Sequence, residues 1–358
     1  MAVGLPALAA AVLAAATLVP AGGAPLDCTQ VGQPAAERLR SGEAVVLVVR
    51  CAPAPAPALA PAPAPAKPFY VDPTTPAAQQ VREWESDGRA GDAAQLRKLA
   101  DQPQPLWVTA DAGSVEAEVA EYVGRAEQAG ARPLLVGYNI PDRDCGSYSG
   151  GGAGDAEGYR QWVAAFASGL KGSDALVVLE PDAIPHQLSG CAGGGEERYA
   201  LLSDATDALT AAGAHVYIDA GHPGFTGDPV ATADALERAG VRRAAGFSLN
   251  VSNFISTHEN VEYGTAIAKQ LGGAHFVIDT SRNGATDPPE STGGAPEWCN
   301  PPGRLLGVPP TTETGNPLVD AFLWVKRPGE SDGACRDSDP PAGGWFPEYA
   351  LDLTRTTR

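Results

Sequence analysis

Positive charge is scarce in this chain of 358 residues. Lysine and arginine number 25 against 43 acidic residues, and the formal net charge of -18 repels nucleic-acid phosphates and anionic lipids. The sequence therefore argues against a nucleic-acid partner and favours an uncharged one. Aromatic residues make up 6%, charged residues 19% and hydrophobic residues 44%, a composition that fits neither a disordered chain nor a coiled coil and supports a full core.

Metal-ligand patterns are also missing. The chain has five histidines, and neither a Cys-x-x-Cys nor a His-x-x-x-His spacing occurs. We therefore expect no metal and no cofactor. Six cysteines in an exported chain instead indicate three disulfides, and although fifteen pairings are open, order and location favour neighbours. The favoured pairs are Cys28 with Cys51, Cys145 with Cys191, and Cys299 with Cys335.

Long apolar runs are absent after the first residues, which predicts no membrane span in the mature chain. Residues 1–24 resemble a secretory signal peptide, although no Lys or Arg precedes the apolar stretch. Residues 25–51 form a short segment of unknown role, and residues 52–67 alternate Ala and Pro as an extended linker. No Phe, Tyr or Trp lies between residues 24 and 67, which argues against a flat sugar-binding module there. We expect a secreted, extracellular monomer.

From residue 68 onward, short apolar runs alternate with amphipathic stretches. This alternation predicts a parallel sheet wrapped by helices, with a site at the C-terminal ends of the strands. The last crossover, between residues 282 and 316, is too rich in Gly and Pro for a helix. The predicted strands are 106–110, 133–139, 175–180, 215–219, 246–250, 275–279 and 321–325, and the predicted helices are 114–129, 158–170, 196–211, 231–239 and 262–271.

Carboxylates at the strand ends give the sharpest chemical signal. Asp182 follows a buried run in Glu180-Pro181-Asp182, and Asp144 follows the preceding strand. Neighbouring parallel strands lie about 4.8 Å apart, so the two carboxylates are expected to share a field that keeps one of them protonated. Asp332, in a turn-rich loop after the seventh strand, is a third candidate that could swing a base over substrate. Taken singly, each Asp is more simply a helix cap or a salt-bridge partner; together they favour catalysis.

Three ring-bearing residues allow two interpretations each. Trp107 and Trp298 are core residues or sugar-stacking platforms at the rim of a barrel. His222 could bind a metal, act as a base or contact sugar, and the lack of paired histidines favours the last.

Eight stretches, in order, resemble glycoside hydrolase family 6 over about residues 68–358. They are residues 69–73 (FYVDP), 138–145 (YNIPDRDC), 180–182 (EPD), 219–222 (DAGH), 250–254 (NVSNF), 278–284 (IDTSRNG), 298–304 (WCNPPGR) and 320–326 (DAFLWVK).

The resemblance implies a distorted seven-stranded parallel β/α barrel, similar to a TIM barrel, with an open substrate cleft at the C-terminal ends of the strands. It also implies cleavage of β-1,4-glucan with inversion. Asp182 would be the general acid, Asp144 would raise its proton affinity and help relay a proton from water, and Tyr138 would press on the sugar ring. Asp332 corresponds to the residue proposed as base, a role still debated in the family.

The same resemblance implies sugar contacts for a further set of residues and two of the disulfides. The stacking platforms would be Trp107 and Trp298, and the hydrogen-bonding residues would be Asp219, His222, Ser252, Asn253, Lys326 and Glu330. The chain departs from the family at Phe225, three residues after the His of the DAGH motif, where relatives often carry Trp. The smaller ring implies weaker stacking at one sugar subsite.

In the family that the chain resembles, cellobiose-releasing members roof the cleft with two extra loops, and endo-acting members leave it open. Here the loops at residues 182–196 and 299–335 are short, so the resemblance implies an open cleft and internal cutting of the polymer. The alternatives are a cellobiohydrolase of the same family and a glucan-binding protein without activity, although the latter should have lost Asp144, Asp182 or Asp332. A metal-dependent polysaccharide deacetylase is disfavoured by the scarcity of histidine.

Overall fold

The computed structural model describes residues 67–191, 195–285, 292 and 294–355, together with the backbone of two short strands that pair antiparallel, β1 (Leu26–Asp27) and β2 (Ala52–Pro53). The predicted Cys28–Cys51 bridge lies outside the described residues, as do the whole predicted signal peptide and most of the predicted linker. Among the described helices, none is long and apolar enough to cross a membrane.

A seven-stranded, all-parallel sheet forms the core of residues 67–355, and each strand pairs with the next along the chain. This confirms the predicted fold class. The strands are β3 (Leu106–Val108), β4 (Leu134–Gly137), β5 (Leu176–Leu179), β6 (His215–Asp219), β7 (Gly246–Leu249), β8 (His275–Asp279) and β9 (Val319–Leu323). All seven predicted runs contain or overlap a strand, and β9 begins two residues earlier than predicted, next to an irregular register between Phe276 and Val277.

The sheet curls without closing through its backbone. Its edges are β3 and β9, and the indole N–H of Trp107 on β3 donates to the carbonyl of Val325 just beyond β9 at 2.9 Å. One set of alternating strand residues fills the inside of the curl, and the other packs against the helices, as the two-residue period of a strand requires. The inner set includes Leu134, Val136, Tyr138, Leu176, Val178, Tyr217, Val277, Ala321 and Leu323.

Nine α-helices are described. They are α1 (Pro76–Ser86), α2 (Ala90–Ala100), α3 (Val115–Gln128), α4 (Ala156–Leu170), α5 (Ala183–Ser189), α6 (Glu196–Ala211), α7 (Pro229–Arg238), α8 (Thr257–Gln270) and α9 (Pro347–Leu353). The five predicted helices correspond to α3, α4, α6, α7 and α8. Side-chain caps begin several of them, and α8 carries a full capping box between Ser256 and Glu259. Ser114 stands at the N-cap position of α3 as predicted, but its hydroxyl donates to Asp111 rather than capping the helix.

Helices α1, α2 and α9 pack around Trp324 in a separate apolar cluster. Between β8 and β9, the described residues contain no helix, as the Gly and Pro content predicts. After β8, the chain therefore leaves the C-terminal end of the sheet through a long loop, which can carry polar side chains.

Candidate active site

A cavity of about 1090 Å³ lies at the C-terminal ends of the strands. Loops that follow β3, β4, β5, β6, β7, β8 and β9 all contribute to its wall. Eleven of the twelve predicted site residues line it, namely Trp107, Tyr138, Asp144, Asp182, His222, Ser252, Asn253, Trp298, Lys326, Glu330 and Asp332. The topology thus brings together side chains that are more than 200 residues apart in sequence.

Asp182 stands where β5 turns into α5. Its backbone is left-handed, with φ of 66°, and its side chain keeps part of its surface open to the cavity. Burial raises the pKa of Asp182 well above its usual value of 3.8, and the negative charges of Asp219 and Asp144 raise this pKa further. Asp182 is therefore a carboxyl group that keeps its proton where most aspartates have lost theirs.

Asp144 lies in the loop after β4 and is also left-handed, with φ of 55°. One oxygen of its carboxylate accepts both the backbone N–H and the hydroxyl of Ser149, each at 2.8 Å. The Ser149 hydroxyl also lies 3.0 Å from the hydroxyl of Tyr138. A hydrogen-bonded chain therefore runs from Asp144 through Ser149 to Tyr138, whose ring meets Trp107 edge to face.

Asp219 departs from the predicted arrangement, because it is fully buried and does not line the cavity. One of its oxygens accepts the backbone N–H groups of Asp182 and Gly221 at 2.9 and 3.2 Å, and the other accepts the hydroxyl of Ser248 at 2.9 Å. Burial raises the pKa of Asp219 to about 6. The structure gives Asp219 a supporting place beneath Asp182 instead of the predicted contact with sugar hydroxyls.

Asp332 is held by three partners. Its carboxylate lies 2.7 Å from Arg282 and 3.3 Å from Lys326 and accepts the backbone N–H of Asn300 at 3.0 Å. Burial alone would raise the pKa of Asp332, but the two cations outweigh it and lower the pKa below 3.8. The side chain of Asp332 is 7% exposed and is held by these contacts, and a movement of its loop over substrate stays a prediction.

The loops that follow β7, β8 and β9 share a buried carboxylate to which the sequence gave no specific role. Asp279, at the end of β8, accepts the backbone N–H groups of Ser252 at 3.0 Å and Lys326 at 2.9 Å, as well as that of Ser281 at 2.9 Å. Ser252 and Lys326 line the cavity, so Asp279 positions two predicted sugar contacts through their backbone. The Lys326 ammonium in turn donates to the carbonyl of Ser331 at 3.1 Å, and Glu330 pairs with Arg327 at 2.9 Å.

Three rings meet at another part of the cavity wall. Phe225, 36% exposed, lies with its ring centre 5.7 Å from that of His222 and 5.4 Å from that of His186. Burial lowers the pKa of His222 to about 4, so its imidazole is neutral near pH 6 and can contact a hydroxyl group without carrying charge. His186 was not predicted from the sequence.

Trp298 presents an exposed ring to the cavity and has an aromatic neighbour that the sequence interpretation missed. Tyr148, from the Asp144 loop, meets Trp298 edge to face with ring centres 5.6 Å apart, and the two residues are 47% and 41% exposed. Rings exposed beside a cleft are suited to stacking on pyranose rings.

Two of the predicted disulfides are confirmed, Cys145–Cys191 and Cys299–Cys335. The first ties the Asp144 loop to the segment after α5, and the second closes the loop that carries Asp332. In the chain-entropy model, each is worth roughly 4 kcal/mol. Cys145, Cys191 and His186 lie close enough to share a metal, but the two sulfurs are bonded to each other and are not available as ligands.

The amino-acid sequence is similar to those of known endoglucanases. Endoglucanase A of Cellulomonas fimi is 48% identical over 294 residues, which cover 81% of this chain and 61% of the relative. Endoglucanase 1 of Streptomyces halstedii is 40% identical over 296 residues, covering 80% of this chain and 88% of the relative. The chain thus spans about three fifths of the Cellulomonas protein.

A solved structure shows the same fold. The endoglucanase Cel6 from Mycobacterium tuberculosis, in complex with methyl-cellobiosyl-4-deoxy-4-thio-β-D-cellobioside, matches with a TM-score of 0.74 and 45% identity over 81% of this chain and 97% of that chain. The model of the family described as glycosyl hydrolases family 6 matches residues 64–357, which include every strand of the barrel. The chain therefore belongs to glycosyl hydrolase family 6.

Proposed function

We propose that this protein is an endo-acting glucanase that hydrolyses β-1,4-glucosidic bonds in cellulose or a related β-glucan with inversion, and that Asp182 is its general acid. The observation that carries the proposal is the position of Asp182, a carboxyl group whose pKa is raised by burial and by the charges of Asp219 and Asp144, in the wall of a large cavity. The similarity to named endoglucanases supports the substrate class.

In the proposed reaction, the Asp182 hydroxyl donates its proton to the glycosidic oxygen as the bond between that oxygen and the anomeric carbon breaks. A water molecule attacks the opposite face of the sugar, which inverts the configuration. Each turnover moves one proton from Asp182 to the leaving oxygen and releases one proton from the attacking water.

The proton from water needs an acceptor, and the contacts of Asp332 make it a poor one because two cations lower its pKa. We assign the proton instead to Asp144, through the hydroxyl of Ser149, which already hydrogen-bonds to Asp144 at 2.8 Å. Asp332 then serves to hold Arg282 and Lys326 in place. Return of the proton from Asp144 to Asp182 resets the acid for the next turnover.

The remaining side chains fit the binding of an uncharged sugar chain. We assign stacking on sugar rings to Trp107 and Trp298, which line the cavity, and pressure on the ring at the cleavage point to Tyr138, which meets Trp107 edge to face. Hydrogen bonds to sugar hydroxyls are assigned to His222, Ser252, Asn253, Lys326 and Glu330. The short loops at residues 182–196 and 299–335 favour an open cleft, which admits the middle of a polymer.

We further propose that the protein acts outside the cell as a monomer. The two disulfides of the barrel support this location, because disulfides persist in oxidising compartments. The acidic composition suits a protein whose partner is an uncharged polysaccharide.

The test is digestion of soluble carboxymethyl cellulose, with viscosity followed against the number of reducing ends. An endo-acting enzyme lowers the viscosity while few reducing ends have formed. Accumulation of cellobiose at nearly constant viscosity would instead show a cellobiohydrolase. Asp182→Ala is the control, and if it cleaves the polymer at the parent rate, Asp182 is not the acid. If the parent binds glucan without cleaving it, the protein is a binding protein.

A further inference from the structure

Asp144 and Asp182 lie on segments that follow two neighbouring strands, residues 138–145 after β4 and residues 180–183 after β5. We propose that two buried residues, Glu180 and Arg198, clamp these two segments together and thereby position the acid Asp182 against Asp144. This inference rests on the proposed function. Neither residue lines the cavity, so both are positioning residues rather than catalytic ones.

Glu180 forms one half of the clamp. It is fully buried, and its backbone is left-handed with φ of 49°, which turns the chain immediately before Asp182. Its two carboxylate oxygens both lie 3.0 Å from the backbone nitrogen of Asn139, and one of them also accepts the N–H of Ile140 at 3.0 Å. Glu180 thus fastens the first turn after β4 to the end of β5.

Arg198 forms the other half. It is 3% exposed and projects from the first turn of α6, beneath both segments. Its Nε donates to the carbonyl of Ala183, the residue after Asp182, at 3.0 Å, and its Nη1 donates to the carbonyl of Pro141 at 2.9 Å. A single guanidinium group therefore spans the gap between the two segments, which only a planar, forked donor can do with both bonds in place.

The two halves are chemically complementary. Glu180 accepts N–H groups of residues 139 and 140, while Arg198 donates to carbonyl groups of residues 141 and 183. Burial raises the pKa of Glu180 to about 7 and lowers the pKa of Arg198, and the opposite charge of each partner offsets part of these shifts. Together, the two side chains hydrogen-bond to backbone groups of both segments. On the other side, the Cys145–Cys191 disulfide joins the Asp144 loop to the end of the α5 segment. Glu180 and Arg198 therefore fix the distance between the two loops without lining the cavity themselves.

Loss of the clamp has a specific consequence for the acid. Burial raises the pKa of Asp182 most, and the negative charges of Asp219, from β6, and Asp144, from the β4 side, raise it further. The charge of Asp182 in turn raises the pKa of Tyr138, also from the β4 side. Asp219 is held independently by Ser248 and Gly221. When the clamp loosens, Asp144 moves away from Asp182 while Asp219 stays in place. Because the charge of Asp144 then acts less strongly, the pKa of Asp182 falls and the acid loses its proton at lower pH.

The experiment measures kcat and KM for soluble cellohexaose across the pH range in the parent, Arg198→Lys and Glu180→Gln. Lysine keeps the charge but cannot make both bonds, and glutamine places an NH₂ group against the Asn139 N–H, since both oxygens of Glu180 face it. We expect kcat to fall by roughly tenfold to a hundredfold, with KM within about twofold, because the reacting groups are displaced by a fraction of an ångström. The alkaline limb of the kcat profile should move to lower pH.

Arg160→Lys is the matched control, because Arg160 pairs on the exposed surface with Asp204, which lies on α6 as Arg198 does. This change should leave kcat and its pH profile unchanged.

The proposal would be overturned if both clamp variants kept the kcat of the parent and the same alkaline limb of the pH profile. A lower kcat that merely follows a lower folded fraction, measured by circular dichroism, with the limb unmoved, would overturn it as well. Should Glu180→Gln fail to fold, Arg198→Lys decides. A parent that cleaves no cellohexaose would instead refute the proposed function.

Discussion

The buried carboxylate of Asp219 accepts the backbone N–H of Asp182 at 2.9 Å. Its other oxygen accepts the hydroxyl of Ser248, so Asp219 supports the acid both by a hydrogen bond and by its negative charge. Asp219→Asn separates the two effects. The amide oxygen can still accept from Asp182, and the NH₂ group can donate to Ser248, while the charge is removed.

We expect Asp219→Asn to lower the pKa of Asp182, because one of the charges that raise it is gone. Since the acid must be protonated to act, the alkaline limb of the kcat profile should move to lower pH. The profile is measured on soluble cello-oligosaccharides. Asp320→Asn, at the opposite end of the barrel beside Tyr217 and His275, is the control and should not move the limb. An unshifted limb in Asp219→Asn would mean that the charge of Asp219 does not act on the acid.

The Ser149 hydroxyl connects Asp144 with Tyr138 and is the proposed path of the proton that leaves the attacking water. Ser149→Ala removes the path but keeps the backbone N–H that also binds Asp144. We expect kcat to fall by about a hundredfold, the lower range of general acid–base effects, with little change in KM. Ser147→Ala, in the same loop, should keep more activity. Equal activity of the two variants would show that the proton takes another route.

The Asp332 carboxylate neutralises two buried cations, Arg282 and Lys326, so its removal is expected to destabilise the fold. We expect Asp332→Asn to lower the free energy of unfolding by about 3 to 5 kcal/mol near pH 6. The folded-state pKa of Asp332 lies below its ordinary value of 3.8, so its contribution is present above that pH and is lost as the pH falls through the folded-state value. The difference between parent and variant should therefore shrink in acid.

Urea unfolding at pH 6 and at about pH 3 measures this difference. Asp352→Asn provides the comparison, since Asp352 pairs with Arg355 on the exposed surface, where an ion pair contributes little. A loss of stability in Asp332→Asn that is the same at both pH values would contradict the assignment to its charge.

The positions of the strands and of the acid could be read from the sequence because both depend on local patterns. The apolar run at residues 176–179 is short and is followed by Pro181, which favours a strand over a helix. Asp182 follows within three residues, so parallel pairing places it at the C-terminal end of the sheet. Helix α2 was missed because its sequence, AGDAAQLRKLA, has a weak apolar stripe, which is buried in a cluster with α1, α9 and Trp324 that forms only in the fold.

The supporting charges could not be foreseen, since their roles are set by partners far away in sequence. Arg282 meets Asp332 across 50 positions, and Arg198 meets Pro141 across 57. In the sequence, neither arginine can be told from an arginine on the surface. Its supporting role follows from its burial beside a specific partner, which only the structure shows. The same holds for Asp219, where the motif predicts a polar residue at the site but does not say that its oxygens face the backbone of Asp182.

Phe225 lines the cavity and is flanked by His186 and His222. Phe225→Trp enlarges an exposed ring beside the cavity, and an additional aromatic contact is worth about 0.5 to 1.5 kcal/mol. We therefore expect KM for cellohexaose to fall severalfold with kcat unchanged, while KM for a shorter oligosaccharide that does not reach Phe225 stays the same. A parallel fall for both substrates would show that the ring is not at a sugar subsite.

Tyr148 connects the Asp144 loop to the loops after β8 and β9, which carry Trp298 and Gly333. Its ring meets Trp298 edge to face at 5.6 Å and packs on Gly333, the residue after Asp332, where an added Cβ would come within 2.6 Å of the ring. Gly333 is itself fixed, because its carbonyl accepts from Asn300 at 3.0 Å. Tyr148 therefore holds the exposed Trp298 ring in one orientation for stacking.

Tyr148→Ala should raise KM for cellohexaose about as much as Trp298→Ala does, because either change removes the oriented ring, and the double variant should cost little more than one change. Tyr148→Phe keeps the ring contact and should behave like the parent. The measurement is a double-mutant cycle in kcat/KM. If the two alanine effects simply add, Tyr148 and Trp298 act independently, and the contact between their rings does not orient the platform.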